Sequence, residues 1–585
     1  MGPRTLKQLL RASLESVLDH LRTGGEIPHE AAADYTIETP KQSAHGDFST
    51  NVAMLLAKPC RRPPREIAAL IAAEMSALDL LEKVEVAGAG FINFVIRNRD
   101  VFGIVGRIFS EQESYGSCQL GAGRKVQLEF VSANPTGPLH IGHGRGAAFG
   151  SSLANLFETC GYEVYREYYV NDAGRQIDIL ALSVWLRYLE SFGLDVEFPQ
   201  QAYQGGYIGE IASDLKARCG DAMLVEASAF QDIDAAGDPE RALDDMIAKA
   251  KQALGPGRYD EIHRSAKSTI LEEIEADLAE FGVRFDSWYS ETSLDDRGLI
   301  DDAIDALDQS GQLFEESGAR WFKSSAFGDE KDRVVVRENG AKTYFASDIA
   351  YHLDKFSRGF ESVIDIWGAD HHGYIPRVKA AMQALDLDPE NLEILLVQFA
   401  TLMRGGEKVA MSTRAGEFVT LKQLVREVGV DAARFFYVMR RSDQHLEFDL
   451  DLAKAQSSDN PVYYVQYAHA RICSVLRQMN ERKLAVTGST EALDEYLVEP
   501  AERAIAVLLS QYPDVVETAC LGREPHQLSN YLRDLATEFH AYYNAHRMLV
   551  DDDAVRNARI ALVTAVRQII ANGLAILGIQ APMEM

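Results

Sequence analysis

The stretch from residue 131 to 147, VSANPTGPLHIGHGRGA, constrains the fold of this chain more than any other segment. A short apolar segment, VQLEF, precedes it, the helical stretch GAAFGSSLANLFETCGY continues it, and EVYREYYV is then a second extended segment. Strand, turn, helix and strand in this order form the unit of a parallel α/β sheet. The pattern predicts a Rossmann-type α/β domain with a glycine-rich turn after its first strand.

This turn has the composition of a phosphate-binding loop. Gly142, Gly144 and Gly146 remove side chains where a nucleotide would approach the backbone closely. The helix that begins here directs its N-terminal N–H groups toward such a ligand. His140 and His143, one helical turn apart, are able to donate hydrogen bonds to phosphate oxygens while charge builds up at phosphorus. The spacing alone leaves a metal site and a purely structural turn open as alternatives.

Three regions of different pattern divide the chain. Residues 1 to 115 mix helical and extended segments and predict an α+β domain, which the glycine-rich run GSCQLGAGRK links to the rest. Residues 116 to 428 continue the α/β pattern, with a mostly helical, acidic insertion at about 180 to 310. From 429 to 585 the strand signals vanish, and four amphipathic or apolar helical segments predict an all-α bundle.

Composition narrows the class of protein. The 585 residues are 46% hydrophobic and 25% charged, which is typical of globular domains. The net charge of −29, from 88 acidic and 59 basic residues, argues against a generally basic coat, although RNA binding needs only a local basic surface. The six cysteines include no C-x-x-C pair, and no apolar stretch approaches the ~18 residues of a membrane span. We therefore expect a cytoplasmic protein with reduced thiols and no membrane association.

The motifs resemble those of one enzyme family. H-I-G-H after a P-x-G-P-L approach is the first signature of the class I aminoacyl-tRNA synthetases, and EFVSANPTGPLHIGHGRGA resembles the arginyl-tRNA synthetases of bacterial type. The resemblance continues, in the same order, through REYYVNDAGRQI, TYFASDIAYHLDKF, WGADHHGYIPRVKAA, MSTRAGEFVTL and YVQYAHARI. Upstream, GDFSTNVAMLLAK is similar to the extra N-terminal domain of this family.

For arginine, the residues that the resemblance implies have a chemical rationale. A guanidinium group is planar and always charged, so a carboxylate that accepts two parallel hydrogen bonds is its best partner. Asp348 occupies the family position that holds this group, with Tyr344 four residues earlier. Glu129 and Asn134 match the positions that hold the amino and carboxylate ends of the substrate.

For ATP, the resemblance implies two segments. His140, Gly142 and His143 bind the phosphates, and the two histidines stabilise the transition state. Gly368 and Asp370 belong to the segment that holds the ribose and adenine. The two histidines that follow Asp370 invite a metal-site interpretation, but no further ligands at suitable spacing follow them. One of them, 371 or 372, lines the arginine pocket by resemblance, and of the two we assign His372.

The second class I signature, K-M-S-K in the family, is altered in this chain. Residues 410 to 413 read A-M-S-T, so both lysines are missing, while Met411 and Ser412 keep their ATP-binding assignment. Lys408 and Arg414 flank this gap. Our hypothesis is that one of these two cations supplies part of the missing charge at the pyrophosphate. The alternative is that bound tRNA or Mg²⁺ organises the loop.

Contacts with tRNA are predicted at both ends of the chain. The C-terminal bundle resembles the anticodon-binding domain of the family, where Arg471 would meet phosphates, and Tyr542 and Tyr543 would stack on bases. The sequence leaves open the alternatives of an ordinary surface charge for the arginine and of core or interface aromatics for the two tyrosines. Arg61 and Arg62 belong to a basic cluster around two prolines in the N-terminal domain. By resemblance, that cluster contacts the tRNA elbow.

The implied activity is that of an arginine–tRNA ligase. ATP activates arginine to arginyl-adenylate, which then charges the 3′ end of tRNA(Arg), and AMP and pyrophosphate are released. Mg²⁺ would accompany ATP without a dedicated protein metal site, and the family is usually monomeric. Two alternatives remain: a different class I synthetase, and a non-enzymatic tRNA-binding paralogue that has lost the two signature lysines.

Overall fold

The protein divides into two compact units. A computed structural model describes residues 5–31, 34–40, 45–225, 238–409, 418–484 and 490–585. The first unit comprises Met1–Cys118, Ser457–Ile576 and Gln580–Met585, and the second comprises Gln119–Gln456 and Leu577–Ile579. Each unit therefore combines segments that are distant in sequence.

The N-terminal part of the first unit has the predicted α+β composition. Its elements are α1 (Leu6–Thr23), β1 (Ile37–Glu38), β2 (Phe48–Thr50), α2 (Val52–Cys60), α3 (Pro64–Met75), β3 (Leu81–Ala87), β4 (Phe91–Ile96) and α4 (Asn98–Glu111). The described strands pair antiparallel in the order β1-β2-β4-β3. Helix α1 begins where the Thr5 side chain accepts a hydrogen bond from the Gln8 N–H, and it buries one face that carries leucines at helical spacing.

The second unit contains the predicted α/β domain. Its first elements are β5 (Lys125–Glu129), α5 (Ile141–Thr159), β6 (Glu163–Val170), α6 (Arg175–Glu190), α7 (Gly206–Cys219), α8 (Pro239–Glu280), β7 (Ser287–Ser290), α9 (Thr292–Asp296) and α10 (Leu299–Gln309). The chain continues with β8 (Leu313–Glu316), β9 (Ala319–Phe322), β10 (Arg333–Val336), α11 (Tyr344–Ser357), β11 (Ser362–Gly368), α12 (Ile375–Ala384) and β12 (Leu392–Val397). It ends with β13 (Ala400–Arg404), β14 (Glu407–Lys408), α13 (Leu421–Val428), α14 (Val430–Val438), β15 (Leu446–Asp449) and α15 (Leu450–Lys454).

The main sheet of this unit is parallel throughout. In the described part of the chain its strands lie in the order β12-β11-β5-β6-β7. The chain runs outward from β5 through β6 to β7 and later from β11 to β12 in the other direction, so the order reverses between β5 and β11. In open parallel sheets ligands bind at the carboxyl ends of the strands beside such a reversal. The topology therefore points to the ends of β5 and β11.

The predicted helical insertion at about 180 to 310 contains one strand of the main sheet. Helices α7 and α8 lie within it, but β7 pairs in parallel with β6 at the edge of the sheet. This strand, SWYS, has only four residues, which is too short for its alternating pattern to stand out in an acidic helical region. Helix α8 is interrupted at Gly255, where φ is 70°, and Pro256 follows.

A strand also lies beyond the predicted start of the bundle. β15 pairs in parallel with β13, which in turn pairs antiparallel with β14. The expectation that strands end near residue 430 is therefore wrong for residues 446 to 449. The boundary predicted at 428 falls inside the second unit, which extends to Gln456.

The four predicted C-terminal helices are present in the first unit. The elements here are α16 (Pro461–Glu481), α17 (Leu493–Tyr496), α18 (Pro500–Gly522), α19 (His526–Ala545) and α20 (Asp553–Ile576). Among the described helices, α20 is long and apolar enough to cross a membrane by length and composition, but 67% of its most apolar window is buried. Such burial is typical of the core helix of a bundle.

Candidate active site

Helix α5 begins inside the H-I-G-H motif. His140 is its N-cap, and the His140 Nδ1 accepts a hydrogen bond of 3.0 Å from the Gly142 N–H. The His143 Nδ1 accepts one of 3.3 Å from the His140 N–H, and the two imidazole rings stack with centroids 3.7 Å apart. Because both Nδ1 atoms act as acceptors, each ring carries its proton on Nε2.

Burial keeps these two imidazoles uncharged. It lowers the pKa of His140, and together with the neighbouring His140 it lowers the pKa of His143 to about 3. Stacked rings at this distance could not both be charged without strong repulsion. At neutral pH the motif therefore offers two N–H donors without a positive charge.

Different physical constraints apply at the three glycine positions of this motif. A Cβ atom on Gly144 would lie 2.8 Å from Leu421 Cδ1 and 3.0 Å from the Tyr437 ring, so this glycine allows α5 to pack against α13 and α14. A Cβ atom on Gly142 would lie 2.8 Å from the His140 ring, whereas one on Gly146 meets nothing within 4 Å. Contacts within the protein thus account for Gly144, which the sequence analysis had attributed to nucleotide approach.

The turn after β5 is strained. Val131 and Ser132 have φ angles of 71° and 41°, in the left-handed region that a β-branched residue such as valine rarely adopts. The Ser132 Oγ donates a hydrogen bond of 2.8 Å to Glu129 Oε1 and accepts one of 3.1 Å from the Tyr169 N–H. Strain of this kind clusters at functional sites. The turn fixes the orientation of the Glu129 carboxylate.

A cavity of about 380 Å³ lies at the carboxyl ends of β5 and β11, where the order of the sheet reverses. We call it the sheet-edge cavity. Its lining comprises Glu129, Val131, Ser132, Tyr169, Asn171, Glu291, Tyr344, Asp348, Tyr351, His352, Asp365, Ile366, Trp367, Gly368, His371 and Tyr374. Four of these side chains are carboxyl groups, which makes the cavity suited to a cationic ligand.

Two of the four carboxylates share a buried lysine. The Lys355 ammonium lies 2.5 Å from Glu129 Oε2 and 2.6 Å from Asp365 Oδ1, and His352 Nε2 lies 2.9 Å from the other oxygen of Asp365. Burial alone would raise the pKa of Asp365, but the charge of Lys355 and the contact with His352 lower it to about 2. Burial raises the pKa of Glu129 against the opposing effect of Lys355.

The other two carboxyl groups have phenols beside them. Tyr374 donates its hydroxyl hydrogen to Asp348 Oδ2, and burial raises the pKa of Asp348. Glu291 follows β7 and is 5% exposed, and its Oε2 has no hydrogen-bond partner among the described residues. Burial, together with the charges of Asp348 and Asp172, raises the pKa of Glu291 to about 7, while a hydrogen bond from Tyr169 acts in the opposite direction.

The structure brings together some of the predicted site residues. Glu129, Tyr344, Asp348 and Gly368 all line the sheet-edge cavity, although 54% of Tyr344 is exposed. Asn134 is not among the lining residues, and its Nδ2 donates a hydrogen bond of 2.7 Å to Gln176 Oε1.

The segment after β11 places one of its two histidines at the cavity. His371 is a lining residue, whereas His372 and Asp370 are not, and all three side chains are exposed. The ring of His372 contacts the Ala369 carbonyl oxygen at 3.2 Å. The geometry thus favours His371 over His372 as the cavity histidine.

The residues predicted around the second signature are only partly described. Lys408 ends the short strand β14 and is exposed, and neighbouring Arg404 pairs with Glu427 at 2.7 Å. Met411, Ser412 and Arg414 lie outside the described residues.

Comparison with known proteins gives the family of this arrangement. Family models match residues 4–96 (arginyl-tRNA synthetase N-terminal domain), residues 105–216 and 244–444 (class I tRNA synthetase (R) catalytic domain), and residues 465–585 (DALR anticodon-binding domain). An arginine–tRNA ligase of Thioalkalivibrio sulfidiphilus is 55% identical over 99% of this chain and 100% of its own length. The chain belongs to the arginyl-tRNA synthetase family.

Further relatives agree with this membership. An arginine–tRNA ligase of Nitrosospira multiformis is 57% identical over 94% of this chain and 95% of its own length. The crystal structure of a putative arginyl-tRNA synthetase from Campylobacter jejuni is 35% identical with a TM-score of 0.72, covering 84% of this chain and 100% of its own. The Thermus thermophilus arginyl-tRNA synthetase, 23% identical with a TM-score of 0.72 over 98% and 100% of the chains, shares the fold. These matches confirm the predicted family, its bacterial type and the predicted activity of an ATP-dependent arginine–tRNA ligase.

Three further residues at the cavity of this synthetase, Glu291, Lys355 and His352, were not predicted from the sequence. His352 and Lys355 carried a signal, because they lie four and seven residues after Asp348 and therefore on the same face of α11. Glu291 carried no such signal, since it follows the strand that the sequence analysis had absorbed into the helical insertion.

The helical bundle of the synthetase contains a second cavity, of about 450 Å³. We call it the bundle cavity, and its lining comprises Tyr467, Ala470, Arg471, Ser474, Arg477, Tyr543, Glu584 and Met585. The Arg471 guanidinium carbon lies 4.6 Å from the ring centroids of both Tyr467 and Tyr543. Tyr542 does not reach this cavity, because it is buried and donates a hydrogen bond of 2.8 Å to Glu502 Oε1.

The basic cluster of the N-terminal domain lies at the end of α2. Arg61 caps this helix with a left-handed backbone, φ 50°, and its side chain is exposed. Arg62 pairs with Glu26 at 3.1 Å, and both side chains are partly accessible to solvent. Surface pairs of this kind contribute little to stability, so Arg62 remains available to another anion.

Proposed function

We propose that the sheet-edge cavity is the arginine site at which this synthetase forms arginyl-adenylate from arginine and ATP, and that it then charges the 3′ end of tRNA(Arg) with release of AMP and pyrophosphate. The observation that carries this proposal is a pair of carboxyl groups, the buried Glu291 and the half-buried Asp348, that line one cavity at the reversal point of a parallel sheet. Two carboxylates match the hydrogen-bonding fork of a guanidinium group.

The opposite end of the substrate would meet the turn after β5. The Glu129 carboxylate, held by Ser132 and Lys355, is placed to accept hydrogen bonds from the α-ammonium group. Asn134 would then bind the substrate carboxylate after its side chain leaves Gln176, and Tyr344 would cover the bound amino acid. Of the two neighbouring histidines, the geometry supports His371 in place of His372.

ATP would bind at the start of α5 with its adenosine toward the end of β11. The Nε2–H groups of His140 and His143 would donate hydrogen bonds to phosphate oxygens as the arginine carboxylate attacks the α-phosphorus in line. Gly142 would also contact the phosphates, and the segment of Gly368 and Asp370 would bind the ribose and adenine. We treat Mg²⁺ as part of the ATP substrate, bound to its phosphates.

The charge of the missing signature lysines would come in part from Lys408 or Arg414, with Met411 and Ser412 beside the nucleotide. Lys408 is the described member of this group, at the exposed end of β14. We expect Lys408→Gln to lower the rate of charging about tenfold at saturating ATP if it neutralises pyrophosphate, since one lost charge–phosphate contact costs about 1.4 kcal/mol or more. The matched control is Lys331→Gln, at an exposed lysine elsewhere in this unit. An unchanged rate would assign the charge to Arg414 or to bound tRNA.

For tRNA, we propose that Arg471 and Tyr543 in the bundle cavity contact the anticodon loop, and that Arg61 and Arg62 contact the elbow. An arginine between two tyrosine rings offers a flat surface for a nucleobase and a charge for phosphate. The buried position of Tyr542 gives it a supporting role through Glu502. We further propose that the enzyme acts in the cytoplasm as a monomer, as the family resemblance implies.

The deciding experiment is charging of bulk tRNA with labelled arginine, ATP and Mg²⁺, with lysine and citrulline in parallel. Charging with arginine alone supports the proposal and the carboxylate cavity. Binding of tRNA without charging by any amino acid would instead indicate a tRNA-binding protein that has lost activity together with the two signature lysines.

A further inference from the structure

The acidic groups around the sheet-edge cavity differ in how their charge is balanced. Glu129 has the Lys355 ammonium at 2.5 Å, and Asp172, whose charge raises the pKa of Glu291, has the Lys267 ammonium at 2.9 Å. Asp348 and Glu291 form no ion pair with any lysine, arginine or histidine in the described part of the chain. Lysines balance the first two groups, and phenols contact the last two.

This difference matters because Glu291 is buried, Asp348 is half-buried, and both line the same cavity. Glu291 is 5% exposed, and one of its oxygens has no hydrogen-bond partner within the described ranges. Two uncompensated carboxylates in one cavity repel each other, and each also loses the solvation that would stabilise its charge. Two carboxyl groups that interact in this way titrate together, and the first proton to bind relieves their mutual repulsion.

We propose that the free enzyme holds one proton on the Glu291–Asp348 pair and that arginine binds by displacing this proton into solvent. The inference rests on the proposed arginine site and adds the protonation state of that site. The guanidinium group keeps its own protons and its charge, and the carboxyl proton leaves to the buffer, so that two carboxylates face one cation in the complex.

The neighbours of the two carboxyl groups determine which of them holds the proton. Glu291 faces Asp348, Asp172 with its partner Lys267, and the Tyr169 hydroxyl. Asp348 faces the Tyr374 hydroxyl and, at longer range, the positive or ionisable groups His352, Arg377 and Lys355. Because the cations lie on the Asp348 side, the proton resides on Glu291, in agreement with the pKa of about 7 to which burial raises this carboxyl.

The sign of the pH dependence follows from this assignment. At the acidic end of this range arginine must displace a proton, and at the alkaline end it meets a free carboxylate. The value of kcat/KM for arginine should therefore fall about tenfold between pH 8 and pH 6, whereas kcat/KM for ATP should not show this step. Citrulline, whose ureido group is uncharged, has no charge with which to displace the proton, so its inhibition should not weaken as the pH falls.

The experiment has two arms on the full-length enzyme. The first measures kcat/KM for arginine in the charging reaction from pH 6 to pH 8.5, with ATP, Mg²⁺ and tRNA saturating. The second titrates arginine into the enzyme–tRNA complex by calorimetry in buffers of different ionisation enthalpy. We expect release of most of one proton at pH 6 and of much less at pH 8.5.

Glu291→Gln identifies the group, since glutamine keeps the shape but cannot titrate. This variant should bind arginine more weakly and release no proton at pH 6, while Glu316→Gln, at an exposed residue of β8, should behave as the wild type. A wild-type enzyme that releases no proton at pH 6, or a Glu291→Gln variant that still does, would overturn the inference. Absence of charging at every pH would instead count against the proposed function itself.

Discussion

The two ends of the candidate active site use buried titratable groups in opposite ways. At the start of α5, burial lowers the pKa of His143 to about 3, so the imidazole stays uncharged. At the sheet-edge cavity, burial raises the pKa of Glu291 to about 7, so a carboxyl group resists ionisation. The same cause, loss of solvation of the charged form, thus acts on a base and on an acid.

This difference matches the charge that each substrate carries into its part of the site. The triphosphate brings its own negative charge, so neutral N–H donors that strengthen as charge builds up are sufficient to bind it. The guanidinium group brings a positive charge, and the cavity becomes fully anionic only when that charge is present. Within the sheet-edge cavity, Lys355 forms ion pairs with Glu129 and Asp365. The charges of Asp348 and Glu291 would be balanced only by the guanidinium group of the substrate.

Of the substitutions at the two ends of the site, Asp348→Asn should reduce activity most. The amide can still accept the hydrogen bond from Tyr374, but it cannot pair with a guanidinium group. We expect kcat/KM for arginine to fall about 10³-fold, since loss of one buried charged partner costs about 4 kcal/mol. The KM for ATP should change little, and Asp305→Asn, at an exposed residue of α10, serves as the matched control. Equal losses for arginine and ATP would show that the substitution disturbs the fold and not the cation site.

His143→Ala tests the other end and should have a smaller effect. It removes one neutral donor, so the charging rate at saturating substrates should fall about 10²-fold while the KM for arginine stays unchanged. Because the pKa of His143 is lowered to about 3, the wild-type rate should show no loss from its protonation between pH 6 and pH 8. His29→Ala, at an exposed histidine of the first unit, is the control. A wild-type rate that follows a histidine pKa near 6.5 would contradict the assignment of a neutral donor.

The elements predicted correctly are those with local signals. The strand, turn and helix around residues 126 to 159, and the four long helices of the bundle, have patterns that need no distant partner to be recognised. Asp348 was predicted by resemblance, and the structure places it in the sheet-edge cavity beside Glu129.

The elements that were missed depend on distant partners. β7 is a strand only because β6 lies beside it, and Glu291 enters the cavity only through β7. Gly144 is required because a side chain there would collide with Tyr437, almost three hundred residues later. No local sequence pattern shows this contact. His371 and His372 are adjacent in sequence, so only the turn after β11 distinguishes them.

The smallest expected effect concerns the strained turn that links the two ends of the site. Ser132→Ala removes the hydrogen bond of 2.8 Å to Glu129 but leaves Lys355 in contact with the other carboxylate oxygen. A single such bond contributes about 1 kcal/mol, so we expect the KM for arginine to rise about fivefold with little change in the charging rate. Ser213→Ala, whose hydroxyl only contacts its own helix, is the control. A larger loss than that of Asp348→Asn would mean that the geometry of the turn, and not the charge of the cavity, dominates arginine binding.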